Sequence, residues 1–496
     1  MSETLQSWTR RAGALRFRTQ AFIDGRFGDA LSGETFESTN PATGRKLADV
    51  AAGDSADVDL AVKAARRAFD SGSWSTAAAT DRKVVLQRLA ALMRENAEEL
   101  ALLDSLDMGK LVNDAYTIDV PGAAAVIDFY AEAADKLYGE VAPTAATELA
   151  LITREPLGVV GAVVPWNYPL DMACWKLGPA LAAGNSVVLK PAEESPLSAL
   201  RLAELATEAG LPDGVLNVVP GMGETAGRAL GLHPGVDSIT FTGSTEVGKL
   251  FLTYAGRSNL KQVWPECGGK SANLVFADAD DLDAAADKAC FGIFFNQGEV
   301  CSANSRLLVA SEIKDELVAK IVERAAQFVP GDPLDPNATL GALVSERHTQ
   351  RVMSYIEGAH TDARLVTGGQ RVTVNGAGCF VEPTVFDDVP LDSTLAIEEV
   401  FGPVLAVHSF DSEQEAVQIA NSSEYGLAAS LWTGSLSRAH RVAKQLRAGT
   451  VSVNTVDALS PQTPFGGVGG SGFGRDLSLH ALDKFTWLKT TWISHG

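Results

Sequence analysis

Two glycine-bearing segments of this chain each present one side chain able to do covalent chemistry: Trp264-Pro265-Glu266-Cys267-Gly268-Gly269-Lys270 and Phe295-Asn296-Gln297-Gly298-Glu299-Val300-Cys301. A thiol that attacks carbon and a carboxylate that activates water form a nucleophile and a base, and together could oxidise and then hydrolyse an aldehyde. Asn167, after Pro165-Trp166 at the end of an apolar run, offers an amide that could donate to an oxyanion without changing protonation. Taken singly, each has an ordinary explanation: Cys301 as a buried structural thiol, Asn167 as a turn residue. Their company with the glycine turns is what favours chemistry.

Two further stretches suggest a nucleotide. In Gly221-Met222-Gly223-Glu224-Thr225-Ala226-Gly227 the third glycine, Gly227, falls one place late for the dinucleotide fingerprint G-x-G-x-x-G. Phe241-Thr242-Gly243-Ser244-Thr245-Glu246-Val247-Gly248 is the better candidate, because a strand ending in a glycine turn before a helix aims backbone N–H groups and the helix dipole at phosphate. A capped helix start would look the same. Val187-Val188-Leu189-Lys190-Pro191-Ala192-Glu193 sets a Lys and a Glu beyond a strand end, where an acid can hold both ribose hydroxyls or simply form an exposed salt bridge.

The elements that must position these groups read as α/β. Asp24-Gly25 between Ala21-Phe22-Ile23 and Arg26-Phe27 predicts a hairpin. Val58, Val62, Ala65 and Phe69 predict a helix over about 57–69 stopped by Gly72, and Val85, Leu89, Leu92, Leu100 and Leu103 predict one more. From Leu157, short β-branched runs (159–164, 187–189, 215–219, 239–241) alternate with helical stretches, one opened by Ser195 as N-cap and Pro196, and closed by Gly210. A second series after Glu266 (273–276, a helix from about 282, 306–309, 404–407, 451–453) predicts a second α/β domain.

Composition bounds the rest. At 496 residues, 46% apolar and 21% charged, the chain reads as a folded, enzyme-sized protein. A net charge of −21 argues against nucleic acid or an anionic membrane surface as partner. Five scattered cysteines without a C-x-x-C pair support neither a disulfide framework nor a metal site, and fit a reducing cytoplasm. No apolar run is long enough to span a bilayer, and the arginines at 10, 11, 16 and 18 read as a surface helix rather than a transit peptide.

Taken together, Val164-Pro165-Trp166-Asn167, Lys190-Pro191-Ala192-Glu193, Phe241-Thr242-Gly243-Ser244, Glu266-Cys267-Gly268-Gly269-Lys270, Gly298-Glu299-Val300-Cys301, Glu398-Glu399-Val400-Phe401-Gly402-Pro403 and Pro464-Phe465-Gly466-Gly467 closely resemble the NAD(P)-dependent aldehyde dehydrogenase superfamily. The 174–181 stretch and the tail 478–485 look most like bacterial γ-glutamyl-γ-aminobutyraldehyde and guanidinobutyraldehyde dehydrogenases.

The resemblance implies a Rossmann-like NAD domain (1–139 and 158–266), an α/β catalytic domain (267–477) and a β bridging segment (140–157 with 478–496) that pairs subunits into a dimer or tetramer. It also implies roles: Cys301 as nucleophile, Asn167 as oxyanion donor, Glu266 as base, Lys176 for the cofactor and proton path, Lys190 and Glu193 for adenosine ribose. Gly243 and Ser244 would meet the pyrophosphate and Glu399 the nicotinamide ribose, with Val164, Pro165, Trp166, Gly223, Gly227, Phe241, Thr242, Val247, Cys267 and Phe401 completing the cofactor site. NAD is expected over NADP because Glu193 would repel a 2′-phosphate. The expected substrate is an ω-amino, γ-glutamylamino or guanidino aldehyde, its tunnel walled by Tyr168, Trp175 and Phe465, with Asp119 and Asp457 near the outer end favouring a cationic tail. A broad aliphatic or semialdehyde dehydrogenase, and a non-catalytic protein on the same fold, are the alternatives.

Two positions depart from the family pattern. Glu299 stands where Gln is usual, and a carboxylate facing the thiol would raise its pKa, so Glu299 is expected to point away. Cys267 stands where Leu or Ala is common and is expected to pack, its backbone against the nicotinamide.

Overall fold

In the computed structural model, which describes residues 4–496, a seven-stranded sheet runs in the order Gln262–Cys267, Ser238–Gly243, Val159–Val163, Ser186–Lys190, Leu216–Val218, Ala21–Ile23, Arg26–Gly28. Its first five strands are parallel, and the four inner ones, from Ser238–Gly243 to Leu216–Val218, are buried on both faces, which is why they read as continuous apolar runs. The last two form the predicted hairpin, with Asp24 and Gly25 both at positive φ, as a tight turn between right-twisted strands requires. Chain order reverses between Val159–Val163 and Ser238–Gly243, creating the crevice at carboxyl ends where open α/β sheets bind ligands.

Register brings the motifs to that one edge. Val163 lies level with Lys190 and Phe241, Thr242 with Glu266, and Gly243 with Cys267. The chain then passes directly into a second seven-stranded sheet, ordered Arg364–Thr367, Thr384–Asp387, Val404–Phe410, Arg306–Ala310, Ala272–Val275, Ala428–Trp432, Thr450–Val453. Gly268-Gly269-Lys270, Cys301 and Glu399-Val400-Phe401 all precede the amino ends of its parallel strands. The carboxyl edge of one sheet therefore faces the amino edge of the other, and no single element carries the whole site.

A third sheet pairs Glu140–Ala142, Glu148–Pro156 and Thr486–Ser494, the tail running antiparallel from Thr486 opposite Pro156 to Ser494 opposite Glu148. Trp487, Leu488, Trp492 and Ile493 on that tail are exposed.

Three local expectations are corrected. The long second helix is two, Ala79–Glu95 and Ala97–Met108, broken at Asn96, whose amide bonds back to the Leu92 carbonyl at 2.8 Å. Ser195 does not cap its helix, which begins at Leu197 with Pro196 at the N-cap, and the buried Ser195 hydroxyl has no hydrogen-bond partner among the described residues. The first helix, Ser55–Asp70, starts earlier than its apolar face suggests, because Asp54 and Asp57 form a reciprocal capping box.

Candidate active site

Cys301 is delivered by the helix Leu282–Phe294 and a turn in which Asn296 and Gln297 both adopt left-handed backbone. Gly298 continues that conformation, and a Cβ there would lie 2.3 Å from the Gly402 carbonyl oxygen, so only glycine lets this turn seat against the loop carrying Phe401. The turn also sets the amide: the Asn167 Nδ2 donates to the Glu299 carbonyl at 2.9 Å, leaving its second N–H free to point elsewhere. Asn296 Nδ2 braces both, donating to the Asn167 carbonyl at 3.1 Å and the Glu299 carbonyl at 3.1 Å.

Cys301 opens into a cavity of about 870 Å³ that extends along the cleft between the two sheets. One half is lined by Pro165, Trp166, Thr242, Gly243, Ser244, Cys267, Gly268, Glu399 and Phe401, the other by Asp119, Tyr168, Asp171, Trp175, Asp457 and Phe465. In the first half, Ser244 caps the helix Thr245–Gly256 through Val247 N–H at 3.3 Å, so the helix N-terminus and the Gly243 turn face the cavity together. Glu399 Oε1 accepts the Gly269 N–H at 2.9 Å, and a Cβ on Gly268 would strike the Glu399 carboxylate, so this backbone and that acid form a fitted pair. Burial raises Glu399 to about 7, partly offset by the Gly269 N–H, Lys270 and Arg351. Trp166 stands edge-on to Phe401, ring centres 5.2 Å apart.

Other cofactor candidates lie outside this lining. Lys190 Nζ pairs with Glu193 at 2.9 Å, and the Gly223 backbone N–H also favours the Glu193 carboxylate; burial opposes that charge, but Lys190 and these bonds keep Glu193 below the usual range. Gly227 backs onto the Lys190 stem, where a Cβ would be 3.9 Å away. Val164 and Phe241, expected at the cofactor, have buried side chains: Val164 N–H bonds the Lys190 carbonyl, and the Phe241 ring fills the space beneath Gly243. Val247 is exposed on its helix and contributes its N–H to the cap.

Glu266 closes its strand with a nearly fully buried carboxyl against Gly466 and Gly474, and neither oxygen has a hydrogen-bond partner among the described residues. Burial first, then the charge of Asp476, push it well above the carboxylate range, while Lys176, Lys484 and Arg475 pull the other way. Asp476 itself is gripped by Lys176 and Lys484, whose ammoniums outweigh the cost of burial and hold it ionised. Asp476 and Lys484 were missed from the sequence, because nothing local marks two groups brought to Lys176 by the returning tail.

Glu299 does point away from the thiol. Its Oε1 accepts Val344 N–H at 3.0 Å, with His348 Nε2 3.7 Å off; burial pushes the acid well above the carboxylate range, and it is absent from the charges that press on Cys301. Those are Asp457, Glu399 and Glu266, which add to burial in holding the thiol above its ordinary range. Cys267 lines the cavity while its Sγ packs towards Gly248, where a Cβ would be 2.9 Å away.

In the second half, Trp175 meets Phe465 edge to face at 5.4 Å, and Lys110 sits over the Tyr168 ring at 3.9 Å. Asp119 is no free carboxylate at an outer rim: it is 2% exposed and ion-paired with Lys110. Asp457 accepts the Ser302 hydroxyl at 2.6 Å. Asp171 was overlooked, although a lone acid in the apolar run Leu170-Asp171-Met172-Ala173 was a readable signal.

Cavity, paired sheet edges and a thiol beside an amide define an oxidoreductase that works on a carbonyl next to a dinucleotide. The profile of the aldehyde dehydrogenase family matches residues 28–491. The chain is 52% identical over 490 residues to the NADP/NAD-dependent aldehyde dehydrogenase PuuC of Escherichia coli (strain K12), covering 99% of this chain and 98% of that protein. Among solved structures, the P. syringae indole-3-acetaldehyde dehydrogenase AldA, with NAD+ and IAA, superposes with a TM-score of 0.98 at 55% identity, over 99% of this chain and 100% of that one. A γ-glutamyl-γ-aminobutyraldehyde dehydrogenase from Burkholderia cenocepacia J2315 matches with the same score, identity and coverage. The chain belongs to the aldehyde dehydrogenase family and is an NAD(P)-dependent oxidoreductase acting on aldehydes.

Proposed function

We propose that the chain oxidises an ω-amino-type aldehyde (amino, γ-glutamylamino or guanidino) to its carboxylic acid, with Cys301, Asn167 and Glu266 carrying the chemistry. The observation behind the substrate class is electrostatic. The aldehyde half of the cavity presents Asp171 and Asp457 among aromatic walls, with Asp119 offset by its ion pair to Lys110, and none of the described residues lining that half is Lys or Arg. A carboxylate-tailed semialdehyde would meet like charge there, whereas an amine or guanidine would not.

In the proposed reaction the Cys301 thiolate bonds to the aldehyde carbon, while the free Asn167 N–H and the Cys301 backbone N–H hold the developing oxyanion. The first half of the cavity suits a nicotinamide dinucleotide: Gly268 fits against Glu399, and Gly243 and Ser244 open a helix N-terminus to the space. When bound, NAD(P) supplies acceptance of a hydride from the substrate carbon. Glu266 then takes a proton from the water that attacks the acyl carbon, and the Cys301 thiolate departs. Burial raises the Glu266 carboxyl well above its ordinary range, so loss of its proton comes at a cost, which Lys176 and Lys484 lessen and Asp476 adds to.

NAD is preferred over NADP on the strength of Glu193. The two halves of the chain around each seven-stranded sheet support the division into a nucleotide domain and a catalytic domain, with 140–157 and 478–496 as the bridge. Exposed Trp487, Leu488, Trp492 and Ile493 on the bridging sheet support a homo-oligomer that covers them. Five unpaired cysteines and the absence, among the described residues, of a helix long and apolar enough to cross a membrane support a cytoplasmic setting.

A second reading is favoured by the aromatic walls and by the likeness to AldA: an aryl acetaldehyde. Measurement of kcat/KM for 4-guanidinobutanal, butanal, succinic semialdehyde and indole-3-acetaldehyde separates the readings. The proposal expects the guanidino aldehyde to lead; a lead for either of the last two overturns the substrate class and leaves the aldehyde dehydrogenase activity standing.

A further inference from the structure

Of the three carboxyls in the aldehyde half, two are already engaged. Asp119 is paired with Lys110, and Asp457 accepts from Ser302. Asp171 differs: the Trp175 indole bears on its carboxyl, but its Oδ1, shielded from solvent, has no hydrogen-bond partner among the described residues, and the residue lines the cavity. A buried acceptor left unmatched is costly, and such groups recur where a ligand completes them.

The surroundings fit one kind of ligand. Asp171 is the third residue of the helix Pro169–Ala182, so the helix dipole favours its negative form. Gly122, on the helix Val120–Ala133, also lines the cavity, and a Cβ there would sit 3.8 Å from Asp171 Oδ1. Glycine there puts no side chain against the carboxyl. One turn on from Asp171, Trp175 is braced by Phe465, giving a flat apolar wall beside the acid. A carboxylate in the cavity wall, an acceptor oxygen without a partner among the described residues and an aromatic face suit a primary ammonium or a guanidinium on an aliphatic stem.

We propose that Asp171 is the specificity-determining residue that anchors the cationic end of the substrate, its carboxylate receiving an N–H donor from the cavity beside Gly122. The assignment rests on the ω-amino reading above and sharpens it to one residue. It also carries a pH signature. Burial, then the Asp119 charge, raise Asp171 to about 8; Lys110 and Trp175 oppose this, Asp104 adds to it, and Tyr168 and Cys174 are the other titratable groups that feel its charge. The ionised form holds a cation, so KM for a guanidino aldehyde, whose charge is constant across this range, falls as pH rises through about 8.

The experiment measures kcat/KM with saturating NAD for 3-aminopropanal, 4-guanidinobutanal and butanal, in the unmodified enzyme, Asp171→Asn and Gly122→Val. Binding of NAD serves as the check on folding. The cationic-to-butanal selectivity ratio is expected to fall tenfold or more in Asp171→Asn, and to fall in Gly122→Val through KM rather than kcat. If the unmodified enzyme prefers cationic aldehydes but Asp171→Asn keeps the ratio within twofold, the anchor is elsewhere and only the assignment of Asp171 falls. If the unmodified enzyme has no such preference, the substrate class falls, and the anchor with it. Should Asp171→Asn fail to fold, the pH series decides: a KM for 4-guanidinobutanal as flat between pH 6.5 and 9 as that for butanal overturns the proposal.

Discussion

The two halves of the cavity are built on different principles. Backbone shapes the nucleotide half: a glycine turn at a strand end, a helix N-terminus, and Gly268 fitted against Glu399. Side chains from unrelated segments shape the aldehyde half, where Asp119, Asp171, Asp457, Trp175 and Phe465 converge from four parts of the chain. Backbone geometry depends on a few neighbouring residues and is repeated wherever the same cofactor is bound. Convergent side chains owe their properties to what buries and pairs them, so this half can change its chemistry without disturbing the other. Cys301 stands at the seam, and variants there and outward from it should separate the halves.

The largest effect is expected at the seam. Cys301→Ala should reduce NADH formation to background while NAD affinity, measured by calorimetry, stays within about twofold, because the thiol takes part in bond making and adds little to cofactor binding. Substantial remaining turnover would mean that another group is the nucleophile. In the unmodified enzyme the buried thiol is held above its ordinary range, so the rate of acyl-enzyme formation should climb with pH, the thiolate being the reactive form.

Next comes Glu266→Gln, which should leave the first turnover and block the second. The expected record is an NADH burst near one per active site followed by a rate lower by roughly a hundredfold, the ordinary worth of a general base. An acyl adduct on Cys301 should be visible by mass spectrometry during the stall. A linear time course without burst or adduct would reassign Glu266 to the hydride-transfer step.

A smaller change is expected in the nucleotide half. Glu193→Gln removes one charge at a partly solvated ion pair with Lys190, so it should narrow the NAD-over-NADP ratio by roughly fivefold, about 1 kcal/mol. Equal use of the two cofactors by the unmodified enzyme would refute the role of Glu193.

Legibility in the sequence follows the same division. Strands buried on both faces, the Asp24-Gly25 hairpin and the strand-turn-helix at 241–248 were readable, because apolar runs and turn chemistry are local. Val164 and Phe241 belong to motifs, and their side chains pack behind the surface the motifs build. Asp119 was read as a free anchor because its partner Lys110 is recognisable as such only once both are buried together. Asp476 and Lys484 were invisible for the same reason: the tail that brings them to Lys176 and Glu266 is positioned by sheet pairing far from either.

Glu299 should give the smallest effect, and it sharpens the comparison because it sits at the seam yet belongs to neither half. Two residues before the nucleophile, an ionised carboxylate would oppose thiolate formation; burial instead pushes this acid well above the carboxylate range, and it is directed at Val344 and His348. Its carbonyl, which any residue would supply, is what holds Asn167. Glu299→Gln preserves shape, neutrality and the acceptor for Val344 N–H, so kcat and KM should stay within about twofold and the pH profile should not move. Glu299→Leu deletes that acceptor and leaves a buried N–H unmatched, a loss of about 1–3 kcal/mol that chemical denaturation should register. A tenfold rise in activity, or a downward shift of the alkaline limb, in Glu299→Gln would show instead that Glu299 is ionised in the working enzyme and bears on the thiol.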